Sequence, residues 1–186
     1  MDTKGQIIAA ANSLMVERGF NAFSYKHISM QIDIKTSSIH YHFPAKSDLG
    51  IAVIRKHKEF LEFTIEKCNE KTPIEKVDKL FKYYKMLVAE QKVCIAGALI
   101  SDINTLDESI RQELLSYGNT LVNWIASILE EGQRQQLFRP VADHKLKAKL
   151  IMASLMGLIQ VARIEKKHNS TDQLMQLILN DLMIIR

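Results

Sequence analysis

Apolar residues recur at helical spacing along almost the whole chain, and breakers interrupt it at few places. Ile7, Ile8, Ala11, Leu14 and Met15 make one face of a helix expected over residues 3–18. Gly19 can close it in the left-handed conformation, with Phe20 folding back onto it. Ser24 caps a short helix over about residues 25–32, and a break follows at Asp33-Ile34-Lys35. A second short helix runs over about residues 36–43 until Pro44 ends it. Lys46-Ser47-Asp48 then opens a long amphipathic helix to about residue 69. Thr72-Pro73-Ile74-Glu75 joins a capping box to a proline in the first turn, which starts a helix reaching about residue 89. Further helices are expected over about residues 95–104 and 107–136. Pro140 breaks the run, Asp143 caps a helix to about residue 167, and Ser170-Thr171-Asp172-Gln173 is a second capping box opening the last helix. The fold class is therefore all-α.

Two short helices about a tight break, with a supporting helix before them, are the helix-turn-helix pattern. In it the second helix fits the major groove of DNA while the first crosses the backbone. The second helix here carries suitable chemistry. Thr36, Ser37, Ser38, His40, Tyr41 and His42 are small or planar hydrogen-bonding groups, set around Ile39 as the one apolar anchor. Charge points the same way. Residues 1–58 hold eight Lys/Arg against four acids, so the whole formal charge of +4 lies there and the remainder is neutral. A basic module on a neutral body suits a polyanion partner. The division expected is a helix-turn-helix domain over residues 1–50 and a larger helical domain over residues 51–186.

Composition mainly excludes. An apolar content of 47% with 25% charged residues belongs to a globular chain, not a disordered one. Cys68 and Cys94 are too few for a disulfide framework or a zinc site. His40 and His42 stand two residues apart, on opposite sides of a helix, and His57 and His168 lack ligand-type neighbours at useful spacing, so no metal is expected. Nothing resembles a nucleophile with its base, or paired catalytic acids, so neither an enzyme nor a cofactor is expected. Residues 7–16 have the apolar character of a signal-peptide core, but Asn12 and Ser13 interrupt it and its spacing continues the first helix. The longest other apolar stretch, residues 150–162, is too short to span a bilayer. A cytoplasmic protein without membrane partners is expected.

Residues 3–51, about a quarter of the chain, resemble the N-terminal domain of TetR-family regulators. The resemblance lies in Ile7-Ile8-Ala9-Ala10-Ala11, Leu14, Glu17-Arg18-Gly19-Phe20, Ser24, Ile28 and Ile34. It continues through Ser38-Ile39-His40-Tyr41-His42-Phe43 and Lys46-Ser47-Asp48-Leu49, in order and spacing. It implies a three-helix DNA-binding domain fused to a helical domain that binds a ligand and dimerises. Carried over by position, it assigns phosphate contacts to Ser24, Tyr41 and Lys46, and base-edge or groove contacts to Lys35, Thr36, Ser37, Ser38 and His40. Lys26 adds a backbone contact on chemical grounds, and Ile28, Ile39 and Phe43 belong in the core. Asp33 and Ser37 stand where the family usually has glycine, and His40 where it has another aromatic. Asp tolerates the left-handed conformation, so the turn is expected to survive. The run from Ile39 to Pro44 marks a subgroup of the family.

The body is rich in Met and aromatic residues, which line apolar cavities well. The resemblance implies an effector pocket, with Phe63, Tyr83, Leu87, Ala98, Tyr117, Trp124 and Met156 as candidates by position. Residues 150–162 are apolar nearly all round, so that helix must be covered on two sides, by its own bundle and by a second copy. Ala153, Met156, Gly157 and Gln160 are the interface candidates. The function expected is a sequence-specific DNA-binding transcription regulator, a homodimer on operator DNA released by a small-molecule effector that tilts the long helix after Lys46. A helical adaptor, or a helical enzyme without DNA binding, is the alternative. Cys94, near a helix start and Lys92, is a candidate for a thiol of lowered pKa that senses electrophiles.

Overall fold

The computed structural model describes residues 2–165 and 169–184. Among them the chain forms nine α-helices, α1 Thr3–Arg18, α2 Tyr25–Ile32, α3 Thr36–His42, α4 Lys46–Lys67, α5 Pro73–Ala89, α6 Ile95–Ile100, α7 Glu108–Arg134, α8 His144–Glu165 and α9 Asn169–Leu182. A single 3₁₀ turn, Ile103–Thr105, lies between α6 and α7. The expected all-α class is what forms. The described residues contain no helix long and apolar enough to cross a membrane. Residues Lys167 and His168, which entered the reading of the sequence, lie outside the described residues.

Most helix starts are set by local hydrogen bonding. Thr72 Oγ1 accepts from the Glu75 N–H at 3.3 Å, and Glu75 Oε2 accepts from the Thr72 N–H at 2.9 Å, the expected capping box of α5. The Thr72 hydroxyl, donating to Glu75 Oε2 at 2.7 Å, and then the Thr72 N–H hold the Glu75 carboxyl below its ordinary pKa. Asp143 Oδ1 takes the Leu146 N–H at the start of α8. Two starts and stops differ from expectation. Helix α6 ends at Ile100, not near residue 104, because the chain turns there into the 3₁₀ segment, where Thr105 N–H and Oγ1 both donate to the Asp102 carbonyl. Helix α9 begins before the expected Ser170-Thr171-Asp172-Gln173 box. Ser170 therefore lies inside the helix, and its Oγ donates back to Glu165 instead of capping the start.

Packing divides the chain into two compact units. The first comprises residues 1–61 with 94–118, the second residues 62–93 with 119–186. In the first, α1 packs against α2, α3 and α6. Its core holds Ile7, Met15, Phe20, Ile28, Ile39, Phe43, Leu49, Ile54, Ile95 and Ile110, all buried. Gly50 allows a close approach, since a Cβ there would stand 3.0 Å from the Phe20 ring and 3.2 Å from Ile110. In the second, α5, α8 and α9 pack together, and Lys76 of α5 pairs with Glu131 of α7 at 2.7 Å. The segment just after α9 is fastened to the turn before α8, where Phe138 and Met183 form an antiparallel bridge. Gly132 makes room for it, because a Cβ there would lie only 2.1 Å from the Phe138 ring.

Candidate nucleic-acid interface and regulatory body

The break between α2 and α3 closes through Asp33, which sits in the left-handed region at φ 52 and ψ 52. Left-handed backbone costs an L-residue about 1–2 kcal/mol, least for Asp and Asn. The turn offsets this with local bonds: Ile34 N–H donates to Ser29 O at 3.2 Å, and Ser29 Oγ donates to Ile34 O at 2.7 Å. Beyond it, α3 is held on its inner side by Ile39 at 0% exposure, with Phe43 buried just after it. Lys35, Thr36, Ser37, His40 and Tyr41 are exposed and Ser38 is half-buried, so the expected groove-facing residues share a solvent surface. Ser24 and Lys26 are exposed at the start of α2, and Ser24 N–H donates to His27 Nδ1 at 3.1 Å.

Tyr25 was not singled out by the sequence, yet it rivets the two short helices together. Its hydroxyl lies 2.8 Å from both the Phe43 and Ala45 carbonyl oxygens, and its ring meets His40 edge-on at 4.7 Å. Burial, with a contribution from Asp48, pushes its pKa up to about 12, so it stays a neutral donor.

Lys46 has a different place from the phosphate contact expected of it. Its ammonium donates to the carbonyl oxygens of Phe20 and Phe23, each at 2.5 Å, and lies 4.6 and 4.2 Å from the centroids of those two rings. Burial lowers its pKa, against an opposing effect of the Asp102 charge. The cation therefore ties the first turn of α4 to the α1–α2 turn. A phosphate would have to compete with two carbonyls already in place.

His57 is likewise turned inward, 2.7 Å from the Asn12 side-chain oxygen, and burial pushes its pKa down to about 4. No group of three or more His, Cys, Asp or Glu among the described residues is arranged to hold a metal. The Cys94 expectation is overturned. Its side chain is 4% exposed, and burial raises the thiol pKa despite the Gly97 N–H donated to its sulfur at 3.3 Å. The Lys92 ammonium is paired with Glu90 at 2.6 Å. Cys94 caps α6 as a buried thiol, not as a reactive thiolate.

The residues expected around an effector are divided between the units. Ala98 and Tyr117 are buried in the first, Leu87 and Trp124 are buried in the second, and Tyr83 and Met156 are half-buried there. Phe63 does not fit an enclosed pocket: it is 54% exposed, with the Lys67 ammonium 5.4 Å from its ring centroid. Helix α4 turns Leu61 inward, and two residues further on the chain faces the opposite way.

Helix α8 has the two apolar faces that the sequence implies. Ala148, Ile151, Leu155, Leu158, Ile159 and Ala162 are buried. Leu146, Leu150, Ala153, Gly157, Val161 and Ile164 recur at steps of three and four and are exposed, as is Leu177 on α9. Gln160 lies on the same exposed side and Met156 at its edge. A Cβ on Gly157 would meet nothing within 4 Å.

Comparison with known proteins agrees with this geometry in both halves. Residues 7–53 match the family described as bacterial regulatory proteins, tetR family, and residues 73–178, more than half of the chain, match the tetracyclin repressor-like C-terminal domain. A TetR-family transcriptional regulator from Agrobacterium tumefaciens is similar in structure, with a TM-score of 0.91, 26% identity and 97% of each chain covered. A TetR transcriptional regulator from Legionella pneumophila has a TM-score of 0.89 at 29% identity, covering 98% of each chain. Among curated relatives, the HTH-type transcriptional repressor DhaR of Mycobacterium sp. (strain GP1) is 22% identical over 95% of this chain and 90% of its own length. The chain thus belongs to the TetR family, and is a DNA-binding transcription regulator controlled by an effector.

Proposed function

We propose that the protein is a repressor that binds a two-part operator as a homodimer and leaves it when a small molecule occupies the body. The observation that carries this reading is the α3 surface: one polar, exposed face on a helix anchored by buried Ile39. Lys35, Thr36, Ser37, Ser38 and His40 read base edges in the major groove, while Ser24, Lys26 and Tyr41 hold phosphates. We read the run from Ile39 to Pro44 as the mark of a subgroup of the family, and the Asp33 charge as altering which operator is preferred. DNA reading is the work of residues 1–50, and effector binding and dimerisation that of residues 51–186. The exposed stripe of α8, with Ala153, Gly157 and Gln160, joins two copies so that their α3 helices meet successive major-groove faces. A partner of this kind places the protein in the cytoplasm. The effector lowers affinity only by binding the two arrangements differently.

The test is anisotropy titration of the DNA upstream of the protein's own gene against a scrambled duplex, at several salt concentrations. Preference for the upstream duplex, with log Kd rising linearly in log salt, is expected. Equal weak binding to both duplexes refutes operator recognition, and no binding at all favours a helical adaptor or enzyme.

A further inference from the structure

A polar cluster away from the α3 surface ties three segments of the first unit together. In the turn after α6, Asp102 Oδ2 accepts the Asn21 backbone N–H and Oδ1 accepts the Asn21 side-chain amide, each at 3.1 Å. The same amide donates to Thr105 Oγ1 at 2.7 Å. Gly19 has φ +87, and a Cβ on it would stand 3.1 Å from Asp102 Oδ2, so the α1–α2 turn approaches this carboxylate as closely as backbone allows. From the other side, Lys46 donates to the carbonyls of Phe20 and Phe23, which flank Asn21.

Residues 20–23 decide where α2 begins relative to α1, and they are held by one carboxylate and one ammonium on segments far from them in sequence. Asp102 stands at the N-cap of the Ile103–Thr105 turn, yet its side chain makes no cap bond there. Instead both its oxygens go to a residue 81 positions away. A charged acceptor with two bonds to one partner is a stiff connection.

We propose that Asp102 is a positioning residue for DNA reading, through which the segment after α6 sets the α1–α2 turn and so the seating of α2 and α3. The proposal rests on α3 being the DNA-reading helix. It follows that a change in residues 95–105 reaches the α2–α3 pair directly through Asn21, without passing along α4.

The test uses the full chain and the variants Asp102→Ala, Asp102→Asn, Asn21→Ala and the Asn21→Ala/Asp102→Ala double. Hydrogen exchange is followed segment by segment without DNA, and binding to the upstream duplex is measured in parallel. Asp102→Ala is expected to speed exchange across residues 19–46 while α5, α8 and α9 exchange as in the wild type, and to weaken operator binding about tenfold. Asn21→Ala leaves the backbone N–H bond to Asp102 in place and should lose less, and the double variant should lose less than the two single losses summed, because they share the side-chain bond. Asp102→Asn keeps an acceptor but loses the charge, and should recover part of the loss. Exchange that rises equally in every helix, or not at all in residues 19–46, overturns the proposal. Local acceleration with operator affinity unchanged within about twofold also overturns it. A wild type that shows no preference for the upstream duplex instead sinks the DNA reading, and the exchange pattern then decides alone whether Asp102 positions the helix pair.

Discussion

Replacing Lys46 by methionine keeps the alkyl stem and removes only the ammonium, which the structure seats between the Phe20 and Phe23 carbonyls at 2.5 Å from each. A hydrogen bond with one charged partner contributes about 1.5–3 kcal/mol. The approach of the cation to two phenyl rings adds about 1 kcal/mol. Against these stands the desolvation of the ammonium, visible in its lowered pKa, which the variant no longer suffers. The net loss expected is about 2–3 kcal/mol of folding stability, or roughly 4–12 °C in Tm for a chain of this size. A phosphate contact would give the opposite pair of results: an unchanged Tm, and a plot of log Kd against log salt shallower by about one charge. Thermal unfolding by circular dichroism and salt-dependent anisotropy titrations on the same preparation separate the two. An unaltered Tm together with a shallower salt slope would refute the tether.

Asp33→Gly relieves a left-handed backbone and removes a negative charge beside the α3 surface, so unfolding should show a gain of about 1 kcal/mol and operator binding should tighten severalfold. Weaker binding by that variant would mean that the Asp33 carboxylate itself contacts the operator complex. Gly157→Arg has room within the monomer, so it should fold, sediment as a monomer at micromolar concentration and lose high-affinity operator binding. A dimer of undiminished affinity would show that this face of α8 is not the interface. For His57 the folded pKa of about 4 lies below the ordinary 6.5. Above pH 6.5 the ring is neutral folded or unfolded; as pH falls from there to about 4 only the unfolded chain takes up the proton, and stability drops by about 3 kcal/mol. His57→Gln, which can still bond Asn12, should flatten that part of the stability–pH curve, and parallel curves for the two proteins would count against it.

The helices, the left-handed Asp33, the inward Ile28, Ile39 and Phe43, and the doubly apolar α8 are all legible in the amino-acid sequence. Each depends on residues within one or two turns of one another: a capping oxygen meets an amide three residues on, and burial repeats every three or four positions. The same locality explains the Thr72–Glu75 box, whose partners are neighbours in the chain. It fails at Ser170, where the matching local pattern is overruled because the residue lies inside α9 and its hydroxyl donates to Glu165. Lys46 is readable as basic and near DNA, but the direction of its ammonium depends on carbonyls at Phe20 and Phe23, 26 and 23 residues back. Phe63 is readable as aromatic, while its exposure follows from the phase in which α4 turns Leu61 inward. Asp102 and Asn21 carry no sequence signal of their bond. Helix formation requires only the ordering of adjacent residues, so composition and spacing specify it. The meeting of single polar atoms 81 positions apart is decided only when distant segments pack, and there one ångström separates a hydrogen bond from none.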